Sequence, residues 1–270
     1  MTNIKVAVRC RPMSKSERAK AEKSCFRIEN DTACLENPAN PNEVHRFGFD
    51  LIYGGDSEQV KVWNDVGVPA LGKAFAGFNT TIFAYGQTGS GKTFSMQGVG
   101  SDEGAGIIPR MNEELFARVN REKEADVNKM FLVTCSYFEI YNEVVVYDLL
   151  DPNNRKKKGA GLEIREHAVL GIYVKGLQEM VVTSPDSMQR LIDQGMLSRT
   201  VGSTAMNDTS SRSHSVFSVK VHQKDATDGS KSTFAKINLV DLAGSERAKS
   251  TGATGARLKE GANINKSLSR

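Results

Sequence analysis

The sequence predicts an α/β fold, in which helices lie against the faces of a central β-sheet. Apolar runs of strand length alternate with amphipathic runs of helical spacing, and this alternation is the first reason. The second is that the strand-like run 80–85 leads directly into a glycine-rich turn at 86–93 with a helical pattern after it. The sequence shows no internal repeat and no linker, so we expect one domain over residues 1–270.

The elements of the N-terminal part follow from local patterns. Residues 4–9 (IKVAVR) have the pattern of a strand, whereas residues 13–44 are polar and rich in turn residues, which predicts loops and short strands. Residues 57–76 carry apolar side chains near helical spacing, and Pro69 should kink or divide this helix. Residues 80–85 (TTIFAY) form a compact apolar strand.

The later elements are mainly strands. Residues 130–141 (MFLVTCSYFEIY) predict one long strand, and shorter strands are expected around 162–165 and 172–183. Residues 214–223 and 233–241 are two strands joined by a turn at Asp228 and Gly229.

One helix start is marked by its own residues. Ser184 is a good N-cap, Pro185 occupies the first helical position and Asp186 places a negative charge in the first turn. The apolar face of this helix should contain Met188, Leu191, Ile192 and either Gly195 or Met196.

Composition excludes several classes of protein. The chain is 39% hydrophobic and 25% charged, as globular proteins are, and no run approaches the roughly 18 apolar residues of a membrane span. The N-terminus lacks the apolar stretch and cleavage site of a signal peptide, which indicates a cytosolic protein. The 4 cysteines form no C-x-x-C pair and the 4 histidines show no metal spacing, so we expect reduced thiols and no zinc site.

The net charge of +4 is too small to indicate a partner, but its distribution is uneven. Arg247, Lys249, Arg257 and Lys259 follow one another with no acid between them, and residues 155–158 (RKKK) form a second cluster. Clustered positive charge can attract an anionic polymer such as nucleic acid or a filament. A solvated loop explains the second cluster equally well.

The turn at 86–93 (GQTGSGKT) matches the phosphate-binding pattern G-x-x-x-x-G-K-[ST] in full. Glycines let backbone N–H groups converge on phosphate oxygens without a Cβ in the way. Lys92 should bridge the β- and γ-phosphates of a nucleotide, and the Thr93 hydroxyl should ligate Mg²⁺. The fold class is therefore a P-loop NTPase, with a central, mostly parallel β-sheet flanked by helices on both faces. The residues of this loop are Gly86, Gln87, Thr88, Gly89, Ser90, Gly91, Lys92 and Thr93.

Two later segments add to the phosphate site. Residues 236–241 (KINLVD) form an apolar strand that ends in Asp241, and in P-loop enzymes such an aspartate lies near the magnesium. Gly244 follows and can offer an N–H to a γ-phosphate. Residues 207–214 (NDTSSRSH) are dense in hydroxyl and polar groups; composition alone favours a polar loop, whereas a triphosphate nearby favours a loop that senses the γ-phosphate.

Together these segments resemble the kinesin superfamily. The turn at 86–93 resembles its P-loop, residues 207–214 its first switch and residues 241–246 (DLAGSE) its second switch. Further family blocks are matched by GIIPR, FEIYNE and LKEGANINKSL, so the resemblance covers essentially the whole chain. Residues 165–174 and 246–268 look most like the third kinesin family of organelle transporters.

Two departures from the family pattern are visible. Residues 142–149 (NEVVVYDL) are one residue longer than the usual spacing, and Phe78 stands where a tyrosine is usual. Neither departure touches the proposed chemistry.

The resemblance implies a nucleotide site and its roles. Arg9, Arg11 and Pro12 resemble the R-x-R-P segment that holds the adenine, and Phe94 would flank the other side of the base. ATP with Mg²⁺ would be hydrolysed to ADP and phosphate. The metal would be held by Thr93, Ser211 and Asp241. The attacking water or the γ-phosphate would be positioned by Asn207 and Ser210. An ion pair between Arg212 and Glu246 would close the site, with Gly244 beside it.

The resemblance also implies the partner. The acidic microtubule surface would be contacted by Lys249, Arg257 and Lys259, so we expect the partner to be tubulin. We expect neither nucleic-acid binding nor membrane insertion. The expected location is the cytoplasm, on the cytoskeleton. The helical pattern that opens near Leu258 still runs at Arg270, so we expect an incomplete motor whose remaining elements, and whose contacts with cargo, lie in further segments.

Two other classes of function stay open from the sequence. A non-hydrolysing microtubule-binding module is one, although the intact residues Lys92, Thr93, Arg212, Asp241 and Glu246 argue against it. A generic P-loop nucleotide kinase is the other, but nothing in the sequence marks the acceptor site and lid that such an enzyme needs.

Overall fold

The computed structural model describes residues 4–100, 102–141, 145–151, 153, 161–168, 171–204, 212–228 and 232–246. The chain divides into two compact units, Met1–Val62 and Trp63–Arg270. The single domain expected over residues 1–270 stays a prediction. In the described part of the chain, no helix combines the length and the apolar character needed to cross a membrane.

The first unit is built mainly from short strands. Its elements are β1 (Ala7–Arg9), α1 (Lys15–Ala19), β2 (Phe26–Glu29), β3 (Thr32–Asn37), β4 (Asn40–Gly48), β5 (Leu51–Tyr53) and α2 (Gln59–Val62). Strands β1 and β5 pair in parallel, while β2, β3 and β4 form an antiparallel sheet in that order. The short strands expected within residues 13–44 are therefore confirmed.

Helix α1 was not expected, although its start carries a capping box. The Ser14 hydroxyl accepts from the Glu17 N–H, and the Glu17 carboxylate accepts from the Ser14 N–H. The S-x-x-E spacing of these two residues is a local signal that could have predicted the helix.

The second unit contains the longer elements. It begins with a π-helical turn (Trp63–Gly67), followed by α3 (Val68–Phe75), β6 (Thr80–Ala84), α4 (Lys92–Met96), α5 (Ile107–Ala125), β7 (Lys129–Tyr141), β8 (Val145–Asp148), β9 (Ile164–His167), β10 (Gly171–Val174), β11 (Met180–Val182), α6 (Pro185–Thr204), β12 (Ser213–Asp225) and β13 (Ser232–Asp241). The helix expected at 57–76 is thus present in three consecutive segments, and it is interrupted by the π-helical turn just before Pro69.

The central sheet of the second unit is mixed. Its strand order is β11-β7-β12-β13-β6, with β8 also paired to β7. Among the described pairs of this sheet, β13 with β6 is parallel and the others are antiparallel. The α/β fold is confirmed, but the prediction of a mostly parallel sheet is wrong for these strands. The connection 226–231 is too short for the crossover that parallel neighbours need, so β12 and β13 form a hairpin.

The described helices of this unit form one layer on one face of the sheet. Helix α3 contacts β6 and β13, α6 contacts β7 and β11, and α5 contacts α3, α4 and α6 in turn. Helices on opposite faces could not touch one another in this way. The sheet residues beneath them are buried and apolar, among them Val133, Tyr137, Phe217, Val219, Ile237 and Leu239.

The opposite face of the sheet is open in the described part of the chain. Phe83, Leu132, Val181 and Phe234 lie on this face by strand register, and their exposed fractions range from 44% to 61%. The prediction of helices on both faces is therefore confirmed for one face only.

Helix α6 begins as the sequence predicts. The Ser187 N–H donates to the Ser184 hydroxyl at 3.1 Å, and the helix starts at Pro185. Met188 and Ile192 are buried as expected. The position left open between residues 195 and 196 belongs to Gly195, because a Cβ there would overlap the Tyr137 ring.

Candidate nucleotide-binding site

The glycine-rich loop connects β6 to α4 at one edge of the central sheet. Gly89 has a φ of +77° and Gly91, the N-cap of α4, a φ of +97°. These left-handed values are strained for residues with a Cβ, so the loop depends on glycine at both positions. The loop thus takes a tight turn with its backbone bare of side chains at these points, as the motif predicts.

Lys92 lies against the loop from which it extends. Its Nζ donates to the carbonyl oxygens of Gly86 at 2.8 Å and Gln87 at 3.0 Å. Burial lowers the pKa of Lys92, and the negative charges of Asp241 and Glu246 act in the opposite direction. The ammonium group is therefore held against the loop carbonyls, in the electrostatic field of two acids, where a phosphate group would meet it.

Thr93 and Asp241 meet as the sequence predicts for the metal site. The Thr93 hydroxyl donates to Asp241 Oδ2 at 2.7 Å. Strands β6 and β13 are parallel and Asp241 pairs with Ala84, so the two carboxyl ends lie side by side. Asp241 is only 6% exposed, and its Oδ1 has no hydrogen-bond partner among the described residues.

These atoms suit Mg²⁺. Magnesium is bound by one or two hard oxygen ligands of the protein together with waters and substrate phosphates. A threonine hydroxyl and a buried carboxylate oxygen that lacks a hydrogen bond form such a donor set. The described residues hold no cluster of three or more His, Cys, Asp or Glu side chains, so an all-protein metal cage is absent from this part.

The loop after β13 packs on the glycine-rich loop. Glu246 accepts from the Thr88 N–H at 2.9 Å and from the Thr88 hydroxyl at 2.6 Å. Burial raises the pKa of Glu246, but these hydrogen bonds outweigh it and the net pKa lies below its usual range. A Cβ at Gly244 would lie 2.5 Å from Thr88 Oγ1 and would overlap the Glu246 carboxylate, so a larger residue there would displace the contact between these two side chains.

Backbone hydrogen bonds hold the loop after β13 in place. Leu242 N–H donates to the Ala84 carbonyl at 3.2 Å, and Ser245 N–H donates to the Gly86 carbonyl at 3.2 Å. Ala243 N–H donates to His214 Nδ1 at 3.1 Å, which requires an unprotonated Nδ1. Burial lowers the pKa of His214 and so favours this neutral form. The loop is thereby tied to β6 and to the start of β12.

Two residues at this site, one of them buried, were missed from the sequence. Arg199 of α6 lies between Glu139 of β7 and Asp241, with N···O distances of 3.9 Å and 3.8 Å. Nothing in the helical pattern distinguishes Arg199. Glu139, however, interrupts an apolar strand, and an acid that is buried in such a strand needs a positive group or hydrogen-bond donors as partners.

The predicted adenine contacts belong to the first unit, apart from Phe94. Arg9 donates to Gln59 Oε1 at 2.7 Å and to the Ser57 carbonyl at 3.0 Å, and burial lowers its pKa. Arg11 makes two bonds to the Glu17 carboxylate, at 2.8 and 2.6 Å. A cavity of about 310 Å³ is lined in part by Arg11 and Pro12.

Phe94 is 42% exposed on α4 in the second unit. The sandwich of the base by these residues stays a prediction.

Several predicted residues lie outside the described part of the chain. They are Asn207, Ser210, Ser211, Lys249, Arg257 and Lys259. The ion pair between Arg212 and Glu246 also stays a prediction.

Comparison with known proteins identifies the family. A family model described as the kinesin motor domain matches residues 9–270. Kinesin-like protein KIF1B from Rattus norvegicus is 46% identical over 98% of this chain, and the match covers 15% of that protein. Kinesin-like protein unc-104 from Caenorhabditis elegans is 45% identical over 99% of the chain, and 17% of it is covered.

A solved structure gives the same result. It is described as a fast kinesin with implications for ATPase mechanism and interactions with microtubules, and it superimposes with a TM-score of 0.87 at 35% identity. The match covers 97% of this chain and 71% of that one. KIF1B and unc-104 belong to the third kinesin family, which confirms the predicted resemblance to it. The chain spans less than a fifth of the length of these two relatives and belongs to the kinesin motor domain family.

Proposed function

We propose that this chain is a microtubule-stimulated ATPase that couples hydrolysis of Mg-ATP to movement along microtubules. The observation that supports this most is the junction of the glycine-rich loop with the end of β13. There the Thr93 hydroxyl bonds to a buried Asp241 carboxylate, and the Lys92 ammonium lies inside the same loop. A positive group and a pair of hard oxygen donors at one place suit a nucleotide triphosphate with its magnesium.

Each described residue would have a distinct task. Lys92 would bind the β- and γ-phosphates and balance the charge that develops during phosphoryl transfer. Thr93 and Asp241 would hold Mg²⁺, with Ser211 as a further ligand implied by the family resemblance. When bound, the metal would neutralise negative charge on the phosphates. Phosphoryl transfer needs mainly positioning and charge stabilisation, which small polar groups can provide.

The second loop would close the site. Gly244 would offer its N–H to the γ-phosphate, and Glu246 would form an ion pair with Arg212. Asn207 and Ser210 would position the attacking water. These roles come from the family resemblance, and the close packing of residues 244–246 on Thr88 supports them.

The partner would be the microtubule, reached through Lys249, Arg257 and Lys259. The solved relative is described with interactions with microtubules, and all the relatives named above are kinesins. A protein with this activity would work on the cytoskeleton.

ATP turnover with and without microtubules tests the proposal. We expect strong stimulation by microtubules, and loss of turnover by at least about 100-fold in Lys92→Ala, because a charge aimed at the phosphates is removed. Lys73→Ala, which changes an exposed lysine of α3, is the matched control and should be unaffected. Microtubule binding without turnover would instead indicate a non-hydrolysing module, and turnover that needs a small acceptor would indicate a nucleotide kinase.

A further inference from the structure

The cluster of Glu139, Arg199 and Asp241 joins helix α6 to three adjacent strands, β7, β12 and β13. Ser215 of β12 pairs with Glu139 on one side and with Asp241 on the other. Neighbouring strands are roughly 4.8 Å apart, so the two acids stand about 10 Å from each other in one row. Their side chains are 4% and 7% exposed, and the Arg199 side chain is 12% exposed.

Arg199 lies over the middle of this row. It donates to the Ser215 hydroxyl at 3.3 Å and to the Ser213 carbonyl at 3.1 Å. Its guanidinium nitrogens are also 3.9 Å from Glu139 Oε2 and 3.8 Å from Asp241 Oδ2. The Ser213 hydroxyl adds a bond to Glu139 at 3.2 Å. One planar guanidinium therefore neutralises two buried carboxylates and is itself held by β12.

The contacts of Asp241 divide between its two oxygens. Oδ2 receives the Thr93 hydroxyl and faces Arg199, whereas Oδ1 has no hydrogen-bond partner in the described residues. A carboxylate that is fixed through one oxygen keeps its other oxygen at a set direction. The orientation of Asp241 toward a metal would thus depend on both Thr93 and Arg199.

We propose that Arg199 is a positioning residue that fixes the Asp241 carboxylate for the metal-bound nucleotide, and that Glu139 fixes Arg199 in turn. This inference rests on the proposed function, because it requires Asp241 to face Mg²⁺. Arg199 itself would touch neither nucleotide nor metal. Residues one step removed from a metal typically change metal affinity by 10- to 100-fold when they are altered.

Arg199→Lys is the most informative variant. It keeps the positive charge between the two acids but loses the planar fork, so one ammonium cannot bond both serine groups and face both acids. The effect of geometry is then separated from that of charge. Arg190→Lys, an exposed position of the same helix, is the matched control.

The measurement is equilibrium binding of a fluorescent ADP analogue over a series of free magnesium concentrations, without turnover. We expect the magnesium concentration for half-maximal binding to rise about tenfold in Arg199→Lys, with nearly normal nucleotide affinity at saturating magnesium. Arg190→Lys should match the unmodified chain. Glu139→Gln, which keeps the shape of the side chain, should shift the magnesium dependence in the same direction by a smaller factor.

Three outcomes would overturn the inference. The first is an unchanged magnesium dependence in a folded Arg199→Lys. The second, if that variant does not fold, is an unchanged dependence in Glu139→Gln. The third is loss of thermal stability in either variant with the magnesium dependence intact, since that would show a role in packing only. If the unmodified chain shows no magnesium-dependent nucleotide binding, the proposed function fails and this inference fails with it.

Discussion

Asp148 and Asp241 are both buried aspartates at the ends of strands of the same sheet, but their oxygens are used differently. Asp148 is 2% exposed, and each of its carboxylate oxygens accepts a backbone N–H, from Leu150 and Gln178, both at 2.8 Å. Asp241 is 6% exposed and bonds through Oδ2 to Thr93, while Oδ1 has no hydrogen-bond partner among the described residues. The first acid is satisfied by the protein, and the second keeps an acceptor for a ligand.

The difference separates a structural acid from a functional one on physical grounds. A buried polar atom without a hydrogen-bond partner costs free energy, and a bound ion is one explanation of such an atom. Asp148 joins β8 to the segment before β11, and its contacts involve backbone alone. Substitution of Asp148 should therefore affect folding, whereas substitution of Asp241 should affect chemistry.

Asp241→Asn should produce the largest effect. We expect ATP turnover to fall by at least about 100-fold, because the metal loses a negatively charged oxygen. The free energy of unfolding should change by less than about 1 kcal/mol, because Arg199 keeps Glu139 as a partner and the asparagine oxygen can still accept from Thr93. Steady-state turnover and urea unfolding of the same preparation check both parts. Normal turnover in this variant would remove Asp241 from the site.

The next prediction concerns Arg212 and Glu246, because the Glu246 carboxylate is partly exposed whereas the two aspartates are buried. Truncation of either residue leaves a charge near the γ-phosphate unpaired and should slow hydrolysis on the order of 100-fold, with a smaller effect on ATP binding. If the two act as one latch, the double variant should lose little more than either single variant. Single-turnover kinetics of the three variants provide the measurement, and fully additive losses would contradict the latch.

Asp148→Asn should act on stability. Near pH 4 the free energy of unfolding should fall by about 1–3 kcal/mol, because one backbone N–H loses its carboxyl acceptor, while turnover per folded molecule stays the same. Burial raises the pKa of Asp148, so its contribution to stability is complete below the unfolded-state pKa of about 4 and is lost as the pH rises through the folded-state value. Urea unfolding from pH 4 to 8 should therefore show a difference between the two proteins that shrinks with rising pH. A constant difference would argue against the buried acid as its source.

The charges predicted to face the microtubule should give the smallest effects. Exposed charges are screened over about 8–10 Å at physiological ionic strength, so affinity should fall as salt rises. Charge reversal at Lys249, Arg257 or Lys259 should weaken binding by about fivefold at most for each position. Co-sedimentation over a salt series is the measurement, with reversal at the exposed residue Lys20 of the first unit as the control. An affinity that is unchanged by salt and by these reversals would show that the interface lies elsewhere.

The sequence alone could identify the glycine-rich loop because its residues are contiguous. The positions of Lys92 and Thr93 follow from the motif, and Asp241 follows from an apolar strand that ends in an acid. The same local pattern occurs at Asp148, where VVYD resembles LVD in its apolar run and its final acid. Sequence could not separate these two acids, because the difference lies in the groups that reach each oxygen from distant segments.

The pairing of strands distant in the chain and the cluster around Arg199 were beyond prediction for a related reason. Periodicity indicates which face of a strand is buried, but not which strand lies beside it. The mixed sheet depends on pairings such as β7 with β12, and the row of Glu139, Ser215 and Asp241 exists only once those pairings are made. The spacing of residues along the chain does not indicate which residues lie side by side on neighbouring strands.

Gly195 connects the row of Glu139, Ser215 and Asp241 to the packing of helix α6 on the sheet. It lies one helical turn before Arg199, and the Tyr137 ring occupies the space that a Cβ would need. Any side chain at position 195 would lift α6 from the sheet and carry the guanidinium away from both acids. A variant screen would thus record, at a glycine that has no charge of its own, a defect that resembles damage to the proposed metal site. The residues tolerated at position 195 would then depend on the position of Arg199 as well as on volume.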